Sequence, residues 1–230
     1  MTPERNQRIR AALAHRQVDL AVCLDRVHKT HNLSAIIRTA EAVGVHHVHA
    51  VWMDQQSGLR KGTSMGTHNW MQIHDHPHIE DAIDTLRAEG KQVLISHMSD
   101  KAVDFREVDY TRPTAIIMSQ ERLGACEEAI AAADQQIVVP MAGMVESLNV
   151  SVATAIVLYE AQRQRQLAGM YQQDNFPEQE KQRLLFLGGY PRLYQQCISK
   201  GLAFPPIDDD GQIAADPDWW HAMQYSKTSG

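Results

Sequence analysis

The feature that most constrains this chain is the alternation of short apolar runs with amphipathic helical stretches between residues 18 and 168. Residues 20–27 (LAVCLDRV), 46–53 (HHVHAVWM), a short run near 71–75, 92–96 (QVLIS), 114–119 (TAIIMS) and 136–140 (QIVVP) read as strands. Between them, 78–89, 125–133 and 149–167 read as helices, and the run NLSAIIRTAEAV sets Leu33, Ile36, Ile37 and Ala40 on one helical face, with Gly44 expected to close that helix. A strand buried on both faces has no polar side to show, so nearly continuous apolar strands alternating with helices predict an α/β fold, a parallel sheet sandwiched by helices. With 230 residues, 43% apolar and 22% charged, the chain is long enough to bury a core, which excludes a fibrous or wholly disordered protein.

The flanks differ in texture. Residues 3–16 predict a short basic helix with Ile9 and Leu13 at helical spacing, so residues 1–17 form a separate N-terminal element. Beyond Gly169 the sequence turns polar, Pro-bearing and aromatic, and 169–230 reads as a helical extension with runs at 178–187 and around DPDWWHAM. Trp219 and Trp220 in that run are expected to pack the extension, with base stacking as the alternative. No stretch approaches the roughly 18 apolar residues of a membrane helix, and MTPERNQRIR carries no apolar leader, so no membrane partner and a cytoplasmic location are expected. Cys23, Cys126 and Cys197 are far apart and odd in number, which fits packing residues in a reducing compartment.

Several familiar chemistries are missing. The turn after the first strand reads HKTHNLS where a dinucleotide-binding fold needs its three glycines, GLRKGTS (58–64) lacks the Gly-Lys-Ser/Thr order of a phosphate loop, and no Gly-x-Ser-x-Gly elbow is present. The clusters His46, His47, His49 and His74, His76, His78 have no cysteine or carboxylate at zinc-site spacing, so solvated or hydrogen-bonded histidines are expected and no metal. Asp208–Asp210 with Gly211 imitates part of a calcium loop, but the required ligand positions, 206 and 217, are both proline.

Three segments stand apart from ordinary scaffold. HNLSAIIRTA (31–40) is a strand-to-helix turn with Asn32 and, six residues on, Arg38 on the polar side of the helix. MSQERLGACEEA (118–129) carries Glu121 and Gly124 at the carboxyl end of a strand, where α/β proteins bind ligands. VVPMAGMVESLNVSVATA (138–155) runs from a strand through Pro140 and a glycine loop to Ser147-Leu148-Asn149 at a helix start, where free N–H groups gather. Taken singly, each has a plain structural reading; for Ser147 it is the helix N-cap. In this order and spacing the three resemble the motifs of the SPOUT methyltransferases, in the TrmH (SpoU) branch: Asn-x5-Arg, Glu-x-x-Gly after a strand, and Pro-Met-x-Gly-x3-Ser-Leu-Asn. The similarity spans about residues 18–168, and the tail LLFLGGYPRLYQQCISKGLAFPPIDDDGQIAADPDWWHAM (184–223), with the basic N-terminal helix, resembles the extensions of the branch that methylates the 2′-oxygen of guanosine 18 in the D-loop of tRNA.

That resemblance implies a homodimer whose α/β domain ends in a deep trefoil knot and binds S-adenosylmethionine. It implies a cofactor pocket of Ser96, Glu121, Gly124, Val139, Met141, Leu148 and Asn149, and a catalytic set of Arg38, Asn32, Glu121, Ser147 and Asn149. Arg38 matches the residue that activates the ribose hydroxyl. A guanidinium with a pKa above about 12 is a poor base, so its expected part is a bidentate grip on the neighbouring phosphate. Two other readings stay open: a 2′-O-methyltransferase of another RNA ribose, in ribosomal RNA or elsewhere in tRNA, and a catalytically silent RNA-binding factor of the same fold.

The net charge of −6 argues weakly against a polyanionic partner, but it is unevenly spread. Residues 1–40 hold seven basic against three acidic residues, a local +4. Arg5, Arg8, Arg10 and Arg16 in this arm, with Arg60 and Lys61 in the long loop 54–70, are the expected phosphate contacts to tRNA.

Overall fold

A computed structural model describes residues 1–52, 67–120 and 124–224. Its helices are α1 (Pro3–Ala14), α2 (Thr30–Ala42), α3 (Ile79–Ala88), α4 (Glu127–Ala132), α5 (Val150–Leu167), α6 (Glu178–Gly189), α7 (Pro191–Lys200) and α8 (Pro217–Gln224). Its strands are β1 (Gln17–Asp25), β2 (Val45–Val51), β3 (Gln72–His76), β4 (Gln92–Ser96), β5 (Val103–Asp104), β6 (Thr114–Ser119) and β7 (Gln135–Val138). The chain divides into two compact units, Gln17–Tyr171 and the two ends, Met1–Arg16 with Gln172–Gly230.

In Gln17–Tyr171 all seven strands form one sheet in the order β3-β2-β1-β6-β4-β7-β5, every pair parallel. Along β1, Leu20, Val22 and Leu24 enter one core with Ile36 and Ile37 of α2 and Val157 and Leu158 of α5. Ala21 and Cys23 enter the other, with Ile79, Ile83 and Leu86 of α3 and Ala129 of α4. Both faces of the central strands are covered, which is why LAVCL and TAIIM read apolar throughout. Each such fully buried aliphatic side chain contributes about 2 kcal/mol.

Helix α2 ends at Ala42, and Gly44, at φ +85°, donates its N–H to the Glu41 carbonyl at 3.0 Å. Only glycine takes that left-handed turn without a Cβ penalty. At the start of α5 the expected cap is corrected: Asn149, not Ser147, is the N-cap, its side chain accepting from the Ser151 N–H at 2.9 Å. The buried periodicity of α5 begins at Val150, and the residue directly before it takes the capping position.

At the end of α5, Arg165 is fully buried, pairing with Asp19 and donating to the carbonyls of Tyr110 at 2.9 Å and Arg112 at 3.0 Å. Arg163 stays on the surface with Glu160. On β2 and β3 the histidines bond to one another, His47 Nδ1 to His74 Nε2 at 3.0 Å and His49 Nδ1 to His76 Nε2 at 2.9 Å, with the His49 ring also stacked against that of His74 at 4.7 Å. Among the described residues no group of three or more His, Cys, Asp or Glu is arranged to hold a metal, and no helix is long and apolar enough to cross a membrane.

In the other unit the two ends of the chain come together. Thr2 caps α1 with Pro3 in its first turn, and α1 packs on α6. Arg5 donates to the Gly188 carbonyl at 3.0 Å, and Arg10 to those of Ile207 and Asp208 at 2.9 and 3.1 Å. Trp219 lies edge-on to Phe186 and donates to the Ala203 carbonyl at 2.9 Å, and Tyr194 stacks on Phe204. Cys197 is buried here, as Cys23 is in the sheet.

Candidate active site

The parallel strands all end on one side of the sheet, and there β4, β6 and β7 enclose a cleft of about 200 Å³. Its walls come from Ser96 and His97 at the end of β4, Met118–Gln120 and Gly124 at and beyond the end of β6, Ile137–Val139 and Met141 at and beyond the end of β7, and Glu146–Leu148, Val150 and Ala153 at the start of α5. Main-chain groups lead here because a parallel strand must end somewhere, and its last N–H and C=O groups find no partner in the ladder. Apolar side chains (Met118, Ile137, Val139, Leu148) supply the floor, and Ser96, Ser119 and Gln120 supply hydrogen-bonding groups.

Of the residues expected to hold the cofactor, Ser96, Gly124, Val139, Met141 and Leu148 line this cleft, and Asn149 lies between two lining residues. Glu121, and with it Arg60 and Lys61, lies outside the described residues. Gly124 has φ +68° and donates to the Gln120 carbonyl at 3.0 Å. Among the described residues no neighbour would meet a Cβ there, so the glycine of the second motif serves the left-handed turn.

Asn32 is not an N-cap but sits inside the first turn of α2, 2% exposed. Asn149 Nδ2 donates to Asn32 Oδ1 at 3.1 Å, which joins the first motif to the third across 117 residues of sequence. Asn149 thereby has two tasks, its carbonyl oxygen capping α5 and its amide nitrogen holding Asn32. Ser147 lines the cleft and is exposed. Arg38 is exposed on α2, makes no hydrogen bond or ion pair among the described residues, and is not in the wall of this cleft.

Among the basic residues of the arm, Arg8 is exposed, Arg16 is buried, and Arg5 and Arg10 are occupied by carbonyls. The contribution of Met118, Ser119, Gln120 and Ile137 was not singled out in the sequence. The signal that finds them is positional, since each lies at the carboxyl end of a parallel strand.

The sheet and its cleft define an α/β protein with an open cleft at the carboxyl ends of its parallel strands, the place where such folds bind ligands. More particularly, the chain belongs to the SpoU methylase family: the SpoU rRNA Methylase family matches residues 19–159, and the SpoU rRNA methylase C-terminal family matches residues 163–216. It is 56% identical over 97% of its length, and 99% of the relative's, to the tRNA (guanosine(18)-2'-O)-methyltransferase of Escherichia coli K12. In structure it is similar to the TrmH/SpoU tRNA modifying enzyme of Aquifex aeolicus, with a TM-score of 0.75 and 40% identity over 82% of this chain and 96% of that one. It is also similar to an AdoMet-bound rRNA methyltransferase from Sinorhizobium meliloti, with a TM-score of 0.58 and 36% identity over 66% of this chain and 59% of that one.

Proposed function

We infer that this chain catalyses S-adenosylmethionine-dependent 2′-O-methylation of the ribose of guanosine 18 in the D-loop of tRNA, acting in the cytoplasm as a homodimer. The observation that carries the reading is that residues of the second and third motifs line one cleft and Asn149, beside it, holds Asn32 of the first, in a chain 56% identical over almost its full length to an enzyme of that name. The terminal extension, shared over that full length, favours tRNA over ribosomal RNA as substrate.

The cleft suits the donor. Apolar walls fit an adenine, the Ser96 and Ser119 hydroxyls and the Gln120 amide fit a ribose, and the Glu146 carboxylate at the rim complements a cation. When bound, S-adenosylmethionine supplies an electrophilic methyl group. The protein's part is then to bring a ribose hydroxyl into line and to ease removal of its proton.

Arg38 is suited to the second task as a phosphate clamp rather than a base. Its free fork of donors can hold two phosphate oxygens at once, and this withdraws negative charge from beside the 2′-hydroxyl so that the phosphate or water takes the proton. Asn32, fixed by Asn149, orients the nucleotide or Arg38, and Ser147 and Glu121 complete the polar lining.

The absence of Arg38 from the cleft wall of its own chain supports action on the cleft of a second copy. Val152, Ile156 and Tyr159 form an apolar stripe along α5 with Val152 47% and Tyr159 52% exposed, close in sequence to the exposed Met144 and Val145, and this stripe suits a dimer contact. The trefoil knot implied by the motifs is consistent with β6 and β7 flanking β4 and with α5 returning to pack on α2. For the RNA, Arg8 is exposed and, unlike Arg5 and Arg10, donates to no carbonyl among the described residues, and it is the proposed phosphate contact of the N-terminal arm.

The test is transfer of label from S-adenosylmethionine to unmodified tRNA, run beside Arg38→Lys. Wild type transfers label; the variant binds S-adenosylhomocysteine normally but loses most turnover. Binding of tRNA without transfer by the wild type would instead make the chain a silent RNA-binding factor.

A further inference from the structure

At the carboxyl end of β1 lie two residues that none of the three motifs includes. Asp25 is 1% exposed, and Arg26, at φ +57°, is the sole non-glycine residue with a left-handed backbone among those described. A side chain resists that conformation, which persists only where its surroundings enforce it. The enforcing contacts are the Arg26 N–H donating to the Val51 carbonyl at 2.9 Å, and its guanidinium donating to both oxygens of Asp25 at 2.9 and 3.3 Å.

Asp25 is tied in turn to the cleft. Its carboxylate accepts from the Ser119 hydroxyl at 3.3 Å and its main-chain carbonyl from the Gln120 N–H at 3.1 Å. Ser119 and Gln120 are cleft-wall residues, and the Gln120 carbonyl holds Gly124 of the second motif. A continuous chain of hydrogen bonds thus runs from the turned-over guanidinium through a buried carboxylate to the wall that β6 contributes. On their other side Asp25 and Arg26 border a second hollow, with Trp52, His78, Cys126 and Glu128.

We propose that Asp25, clamped by Arg26, is a positioning residue for the cofactor: it sets the wall formed by Ser119, Gln120 and Gly124 at the distance the donor requires, and the left-handed turn at Arg26 is kept for that purpose. The proposal rests on the reading of the cleft as the S-adenosylmethionine site.

Binding of S-adenosylhomocysteine, measured calorimetrically, tests it together with melting temperature. In Arg26→Gly the turn loses its strain but the buried Asp25 carboxylate loses its cationic partner, so melting falls somewhat while the dissociation constant rises about tenfold. Asp25→Asn, of the same shape but unable to chelate the guanidinium, weakens binding in the same direction, and both variants raise KM for the donor more than they lower kcat. A purely structural role would move melting and leave binding alone. Leu148→Arg, which fills the cleft, serves as the control. Wild-type affinity in Leu148→Arg overturns the cleft reading and this proposal with it. Lost affinity there beside wild-type affinity in both Arg26→Gly and Asp25→Asn overturns the positioning role alone.

Discussion

Asn149 donates from Nδ2 to Oδ1 of Asn32 at 3.1 Å, while its own Oδ1 accepts from the Ser151 N–H at 2.9 Å. One side chain therefore both starts α5 and ties it to the first turn of α2. The two tasks separate by mutation. Asn149→Ala loses the cap, a cost of about 1 kcal/mol, and the tie. Asn149→Ser restores a capping oxygen but is too short to reach Asn32, so chemical denaturation should show most of the stability recovered. Methyl transfer should stay on the order of a hundredfold low in both variants, the size expected of a misplaced reacting group.

The buried Arg165 makes a different prediction. Arg165→Met removes the partner of Asp19 and the donor to two carbonyls, and breaking such a buried group is expected to cost about 3 kcal/mol. The melting temperature should fall by roughly 6–12 °C for a unit of this size. Affinity for S-adenosylhomocysteine should not change, because Arg165 lies at the far end of α5 from the cleft.

How legible these features were depends on the distance over which their causes act. The strands of the sheet were readable because burial on both faces leaves a local signature in runs such as TAIIMS. The two-residue β5 has no such length, and α7 follows α6 after a single residue, Tyr190. The fate of Arg165 was not readable at all: Asp19, Tyr110 and Arg112 come from parts of the chain 53 to 146 residues away, and a cation near a helix end is ordinarily solvated. The cleft was half legible. Motif residues such as Val139 and Leu148 fell into its wall, but Ser119 and Gln120 are polar residues at a strand end with nothing local to mark them, and the left-handed turn at Arg26 is a backbone property.

The histidine ladder of β2 and β3 predicts an acid-sensitive edge. Burial, with weaker help from neighbouring His46, His74, His76 and Lys91 and against Glu89 and Asp81, lowers all four pKa values, His47 to about 4 and His49 to about 3. In the unfolded chain these imidazoles titrate near 6.5, so the unfolded state takes up protons first. The stability of the neutral ladder is complete above about pH 6.5 and is lost as pH falls through the window down to about 4 for His47 and about 3 for His49. Melting temperature should drop on the order of 5 °C between about pH 7.5 and 5, and the slope should flatten in a variant carrying His47→Gln with His49→Gln.

The N-terminal arm predicts unequal arginines. Arg8→Ala should weaken tRNA binding by a similar factor for every tRNA and lower the slope of log affinity against log salt by about 1 or a little less, as expected for one lost phosphate contact. Arg10→Ala should act first on stability, because Arg10 holds the carbonyls of Ile207 and Asp208. Filter binding across a salt series, paired with thermal melting, separates the two.

The central claim is that the cleft delivers a methyl group to one ribose. Its most direct test is to incubate the protein with S-adenosylmethionine and an unmodified tRNA transcript and to map the modified nucleotide by mass spectrometry, beside a transcript with a 2′-deoxyguanosine at position 18. The account predicts a single 2′-O-methylguanosine at position 18 in the first transcript and no transfer to the second. Methylation at another nucleotide, or equal transfer to both transcripts, would contradict it.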